Sequence, residues 1–358
     1  MTLTQINQIQ IPTWRWLSMN ETSVKIDANL NLAYHGGELT AAEPLIQRHF
    51  FAPTEIPNLP ADLERLRSFV TTHQNWALSL TIGRGVRCDT PIVLDFVLDE
   101  ESPVLIDHLE IHGEADSQAT VVVRYRRRGQ TACFHGGFAA VWAEEGAVVR
   151  LIKIQELGDS DTHVDGTAIT VGERGDGSVL FCELGGAQVV GSANISLAGE
   201  ESRGGIDGMY LARDGCIQDF DYRLELRGRG GEGRIICCGA LAGAASKTMK
   251  STLDFIRGAD GAKGREEETV LALSDRAINR SIPLLLCGED NVEGAHATST
   301  GRLDPLKLHY LMSRGLSRQE AMRVMVEASF TPLVDLLPTI DLRGEVRQRI
   351  REAFDDAH

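Results

Sequence analysis

Between Val104 and Leu284 the chain is a series of short runs in which apolar and polar residues alternate, each closed by a turn residue. VLIDHLEIHG, ATVVVRYRRRG, GAVVRLIKIQELG, GTAITVG, GSVLFCELGG, DYRLELRG and GRIICCGAL each hold one such run. A period of two marks a strand with one face buried, because successive side chains point to opposite faces. Gly, Asp, Asn or Ser bounds most runs, and 32 of the 36 glycines lie between Gly83 and Gly301. Glycine supplies the positive φ of tight turns, so this block predicts many short strands. No useful amphipathic helix interrupts it, which argues against a doubly wound α/β fold. A sandwich, a barrel or a β-solenoid remains. The block's length and the Asn, Ser and Thr beside its apolar runs favour the solenoid, although no strict repeat is visible.

Helical texture flanks the block. In the N-terminal region, residues 1–76, Leu63, Leu66 and Val70 of ADLERLRSFVTTH share one helical face. Trp14 and Trp16 predict an extended segment pinned by aromatic burial, and residues 1–10 read as loose. Residues 77–301 form the predicted β core, and residues 302–358 a helical C-terminal domain. There Asp304 and Pro305 make a cap and first turn, and Gly315 makes a stop. Ser317 and Glu320 form a capping box for a second helix. Ala321, Val324, Met325 and Ala328 fall on one stripe, and Met322 and Val326 widen it beyond a single packing face. That surface suits either burial against the β body or a partner. RGEVRQRIREAF predicts a third helix.

Composition narrows the function. The formal net charge is -15, which repels phosphate backbones and argues against a nucleic-acid partner. The basic run Arg124, Arg126, Arg127 and Arg128 reads as the solvated side of a strand entering a turn at Gly129. No apolar run approaches the about 20 residues of a membrane helix, and the N-terminus lacks a secretory pattern, so a cytoplasmic protein with no membrane role is expected. Seven cysteines, an odd number without a CxxC pair, fit reduced thiols better than disulfides or a local metal cage.

Several motifs fail on context. GRGGEG matches a dinucleotide fingerprint, but a strand follows it rather than a helix. GALAGAASKT lacks the glycine that must precede Lys247 in a phosphate loop, so no nucleotide is expected on this chain. DSDTHVDG places Asp159, Asp161, His163 and Asp165 at alternate positions, but Gly172 stands where a calcium loop needs Glu, and a solvated turn is expected. Cys237 and Cys238 are adjacent on a strand and should point to opposite faces, Cys237 inward.

Three stretches resemble the SufB/SufD family, scaffold components of the SUF iron–sulfur cluster assembly machinery. The first is GAASKTMKSTLDFIRGADGAKGREEETVLALSD, with Lys247, Asp254, Phe255, Gly258, Gly261, Gly264 and Glu266 in the family's spacing. NRSIPLLLCGEDNVEGAHATSTGRLD and LHYLMSRGLSRQEAMRVMVEASF are the others. The resemblance implies a right-handed parallel β-helix core flanked by N-terminal and C-terminal helical regions. It implies a SufC-like ABC ATPase docked on the C-terminal helices, around Met322, Val324, Met325 and Val326, with ATP hydrolysed by that partner and not by this chain. Pairing with a second SufB/SufD-type chain, as homodimer or heterodimer, is implied too.

The cargo would be a transient iron–sulfur cluster or iron. His296 aligns with the family's assembly histidine. The motif cysteine aligns with Gly294, so that thiol is missing; Glu293 lies nearby, and Cys287 is seven residues upstream. Imidazole and thiolate both bind iron, which makes His296 and Cys287 the metal-binding candidates. Read alone, His296 suits a hydrogen-bonded turn and Cys287 a buried small hydrophobe. These departures fit a SufD-like or divergent single-type scaffold. Two alternatives compete: a β-solenoid enzyme acting on polysaccharide, with Asp159, Asp161 and Asp165 as carboxylates, and a purely structural scaffold without cluster chemistry.

Overall fold

Strand alternation sends every second side chain into a shared interior, and the coils stack so that each interior side chain meets its counterpart one coil away. The computed structural model describes residues 1–11, 19–42 and 46–355. The N-terminal elements are β1 (Thr2–Ile6), β2 (Thr22–Lys25), β3 (Glu38–Thr40), β4 (Ile46–His49) and α1 (Ala61–His73). One parallel sheet then contains β5 (Trp76–Ile82), β7 (Val104–Gly113), β9 (Phe134–Ala143), β11 (Thr162–Val171), β13 (Gln188–Leu197), β15 (Ile217–Leu226), β17 (Ser246–Phe255) and β19 (Ile278–Cys287). A second contains β6 (Ile92–Leu98), β8 (Gln118–Arg127), β10 (Val148–Glu156), β12 (Asp176–Glu183), β14 (Arg203–Ala212), β16 (Glu232–Leu241), β18 (Lys263–Ala272) and β20 (Glu293–Arg302). The chain alternates between them, one strand from each per coil, and so builds a β-solenoid.

The register explains why no strict repeat is visible. Gln118 pairs with Val148, Val148 with Asp176, Asp176 with Arg203 and Arg203 with Glu232, so successive coils differ by 30, 28, 27 and 29 residues. The sheet ladder tolerates this variation because turns absorb it. At the first end β3 and β4 close the sheets with antiparallel pairs to β6 and β5. At the other end β19 and β20 are the last strands of their sheets.

Three apolar layers hold the body. The lumen is filled by residues such as Leu94, Phe96, Val121, Phe181, Phe220 and Phe255. Leu63, Leu66 and Val70 of α1 and Leu3 and Ile6 of β1 cover the outer face of the first sheet. The start of the chain is therefore not loose: β1 pairs with β2, because Leu3 and Ile6 gain burial there. Trp14 and Trp16 lie outside the described residues. The second sheet's outer face, with Val122, Ile152, Leu180 and Met209, is covered by α3 (Arg318–Val334) and α4 (Ile340–Asp355). A short α2 (Pro305–Ser313) precedes them. Asp304 accepts from the backbone N–H groups of Leu306 and Lys307, Gly315 takes φ +100°, and the Ser317–Glu320 capping box is formed.

The cysteine pair divides as alternation requires. Cys237 enters the lumen, while Cys238 faces outward beneath α3, 3.4 Å from the Ser329 carbonyl. The solvated turn expected at DSDTHVDG is a correction: Asp161, His163 and Asp165 are buried, and the last two sit on β11 facing interior partners. Among the described residues no helix is long and apolar enough to cross a membrane.

Candidate functional site

The open end of the solenoid carries the residues singled out by sequence. All ten residues of β20 are exposed, and His296 is among them. β20 bonds to β18 on one side, and its other edge ends the sheet. Such an edge offers a row of backbone donors and acceptors to another strand.

Contacts across the lumen fix the facing of the last two strands. Asn279 Nδ2 donates to Thr300 Oγ1 at 2.9 Å. A side-chain carbon on Gly294 would lie 3.1 Å from both Leu285 Cδ1 and Phe255 Cε2. Gly294 thus points inward against two apolar side chains that occupy the room. His296 shares Gly294's parity and faces the lumen rim opposite residue 283. Cys287 lies four residues beyond that point, about 13 Å along the strand at ~3.3 Å per residue. It is exposed rather than buried, because β19 has no further strand to cover it. Glu293 has the opposite parity and pairs with Lys263 at 3.0 Å. The three candidates therefore do not converge within one chain. Among the described residues no group of three or more His, Cys, Asp or Glu is placed to hold a metal ion.

Behind His296 the lumen is polar. Glu266 is its register partner on β18 and is 2% exposed. Ser251 donates to Glu266 Oε1, and Oε2 is buried without a partner. Burial raises the Glu266 pKa, while the Ser251 hydrogen bond and the nearby His296 act the other way. Two residues further along the same strand, Glu268 accepts from Tyr210 at 2.7 Å and pairs with the fully buried Lys247. Lys247, read above as a failed phosphate-loop lysine, thus serves the lumen. The consecutive acids of REEET were the missed signal: on a strand, alternate ones must enter the interior.

The C-terminal helices present a second surface. Leu306, Tyr310, Met312 and Val324 are exposed, and Met322 and Met325 are half-buried. Val326 is a correction to the docking set: it is fully buried with Phe330, Leu333 and Val334 against the second sheet. Its phase is fixed by an apolar series that continues to Leu337, beyond the predicted stripe. Each such burial is worth about 1.5–3 kcal/mol, enough to turn this face inward.

Carboxylates for glycan cleavage are not presented. Asp161 is buried and accepts from the Cys133 and Gly158 N–H groups at 2.7 and 2.6 Å, and Asp165 is buried against Lys153. Asp159 pairs with Arg213 at the surface. Two of the three acids thus cannot meet a polymer in a groove.

The chain is similar to known proteins over most of its length. The family model described as "SUF system FeS cluster assembly, SufBD core domain" matches residues 96–329. The iron–sulfur cluster assembly protein SufD of Bacillus subtilis is 26% identical over 312 residues, covering 84% of this chain and 69% of the relative. An iron–sulfur cluster assembly SufBD family protein of Mycobacterium leprae is 25% identical over 305 residues, covering 83% and 75%. One from Pyrococcus horikoshii is 25% identical over 296 residues, covering 78% and 62%.

Proposed function

This chain belongs to the SufBD core-domain family of the SUF iron–sulfur cluster assembly system, and from that premise we propose that it is a scaffold subunit on which clusters are assembled and handed on with the help of a SufC-like ABC ATPase. His296 on the bare strand at the open end carries the proposal. An iron or nascent cluster needs exchangeable ligands at an accessible place, and neutral imidazole is such a ligand. Because Cys287 and Glu293 do not meet His296 in one chain, the remaining ligands come from a second SufB/SufD-type chain paired edge to edge at β19 and β20. Cys287, the exposed thiol at the same end, then serves a site across the junction rather than replacing the cysteine missing at Gly294.

The ATPase docks on the apolar surface of α2 and α3, with Val324 and Met325 in contact and Val326 excluded by burial. ATP turnover in that partner moves the paired scaffolds and opens the junction. Two substitutions separate these roles. Val324→Asp with Met325→Asp abolishes co-purification with the ATPase and leaves the chain folded. His296→Ala leaves the complex intact and removes cluster-dependent enzyme activities in a complementation assay. An unchanged complex in the first case refutes the docking surface, and unchanged activity in the second leaves a structural role alone.

A further inference from the structure

A set of buried polar groups, used by none of the roles above, runs through the lumen near its closed end. Asp107, His135 and His163 lie on successive coils of the first sheet, on β7, β9 and β11. Tyr125, Lys153 and Glu183 are on β8, β10 and β12 of the second. All six are at most 2% exposed. His135 Nε2 is 2.5 Å from Asp107 Oδ1, and Asp107 Oδ2 accepts from the Tyr125 hydroxyl at 3.1 Å. His135 Nδ1 is 2.7 Å from His163 Nδ1. His163 Nε2 is 3.7 Å from Glu183 Oε2, a buried carboxyl oxygen with no hydrogen-bond partner. The Lys153 ammonium is engaged elsewhere, 2.8 and 2.7 Å from the two oxygens of Asp165.

With Asp107 as a carboxylate, these contacts fix where the protons lie. A nitrogen–nitrogen hydrogen bond needs one donor and one acceptor. An Asp107 carboxylate accepts the Nε2–H of His135, which leaves Nδ1 of a neutral His135 bare. His163 must then donate from Nδ1, which leaves its own Nε2 bare. Glu183 is the group facing that nitrogen; at 3.7 Å it is beyond hydrogen-bond length, and as a carboxylic acid it is the proton source closest to that bare nitrogen.

We propose that Glu183, His163, His135 and Asp107 form an internal proton chain, with an acid at one end, a carboxylate at the other and two neutral imidazoles of opposite tautomer between. Glu183 gives its proton to His163 Nε2, His163 passes its Nδ1 proton to His135 Nδ1, and His135 passes its Nε2 proton to Asp107. Three N–H or O–H bonds break and three form, no electron moves, and no proton leaves the protein. The outcome is one negative charge displaced by two coil spacings, about 10 Å along the solenoid axis. Burial supports the starting arrangement: it lifts Glu183 to about 8 and holds His135 near 3 and His163 well below its usual value. Asp107, also raised by burial, to about 6, remains the more acidic end. The charged groups facing the chain, Lys153 and Asp165, offset one another, and Tyr125 and Tyr222 remain phenols because burial raises both.

Nitrogen-resolved NMR of the histidine-labelled full chain at pH 7 tests the proposal, together with infrared detection of protonated carboxyl groups. His135 should appear as the Nε2–H tautomer and His163 as the Nδ1–H tautomer, with a buried acid carbonyl band. Glu183→Gln should abolish that band and keep both tautomers, because the amide N–H replaces the acid O–H; Asp107→Asn should leave the band in place. The same tautomer on both rings, an imidazolium, or no acid band in the unmodified protein overturns the proposal. Stoichiometric divalent metal bound between the two Nδ1 atoms would overturn it as well. The wild-type spectra decide the matter even if a variant fails to fold.

Discussion

His296 and Glu183 show opposite ends of what a single residue reveals from sequence. His296 stood out through its motif, and the strand it occupies is as exposed as an exchangeable ligand requires. Glu183 was invisible, because an acid inside a strand gains meaning only when the coil register brings His163 opposite. Its burial has a measurable sign. Glu183 titrates near 8 in the folded chain against an ordinary 4.5, so the folded state retains a proton that the unfolded chain releases. That contribution is full below about pH 4.5 and is lost as pH rises toward 8. The two histidines act oppositely: the unfolded chain takes up their protons below about 6.5, so stability falls on acidification. Between pH 6.5 and 8, where Asp107 and the histidines contribute little, one proton linked at 1.36 kcal/mol per pH unit costs up to about 2 kcal/mol. Urea midpoints should decline over that interval in the wild type and stay level in Glu183→Gln; parallel profiles would show that Glu183 does not hold the proton. The thiols give a simpler readout. Cys287 is exposed, whereas Cys133, Cys216 and Cys238 are pushed up to about 11, 12 and 11 by burial. A thiol reagent should modify one cysteine in the native chain and seven after denaturation; several fast thiols in the native chain would contradict the burial.

At the level of elements, caps and strand alternation were legible because they rest on local chemistry, as Asp304, Gly315, the Ser317–Glu320 box and the division of Cys237 from Cys238 show. The inward face of α3 was misjudged because its phase is set by Phe330, Leu333 and Val334 meeting the sheet, a tertiary contact. Phe330→Ala should therefore cost about 3–5 kcal/mol, measured by urea unfolding. Val324→Asp, on the exposed side, should change stability by no more than about 0.5 kcal/mol. Equal losses would mean that the helix packs in the other phase. β1 was missed because Leu3 and Ile6 become an apolar pair worth burying only once the sheet beneath them exists.

Across the whole molecule, the solenoid is closed at one end by β3 and β4 and ends bare at β19 and β20. The glycine-rich strand texture made a stacked β body readable, whereas coils of 26 to 32 residues hid the repeat. The candidate site was readable only in part, since strand parity separates Glu293 from His296 and the length of β19 separates Cys287 from His296. The proposed assembly site is completed by a second chain at the bare end, with His296 as the contribution of this one. Its most direct test is the activity of iron–sulfur enzymes in cells whose only copy of this chain carries His296→Ala, with assembly of the complex checked in parallel. The complex should remain intact and the activities should fall to the level of the deletion. Wild-type activities with an intact complex would rule out His296 as a ligand of the assembly site.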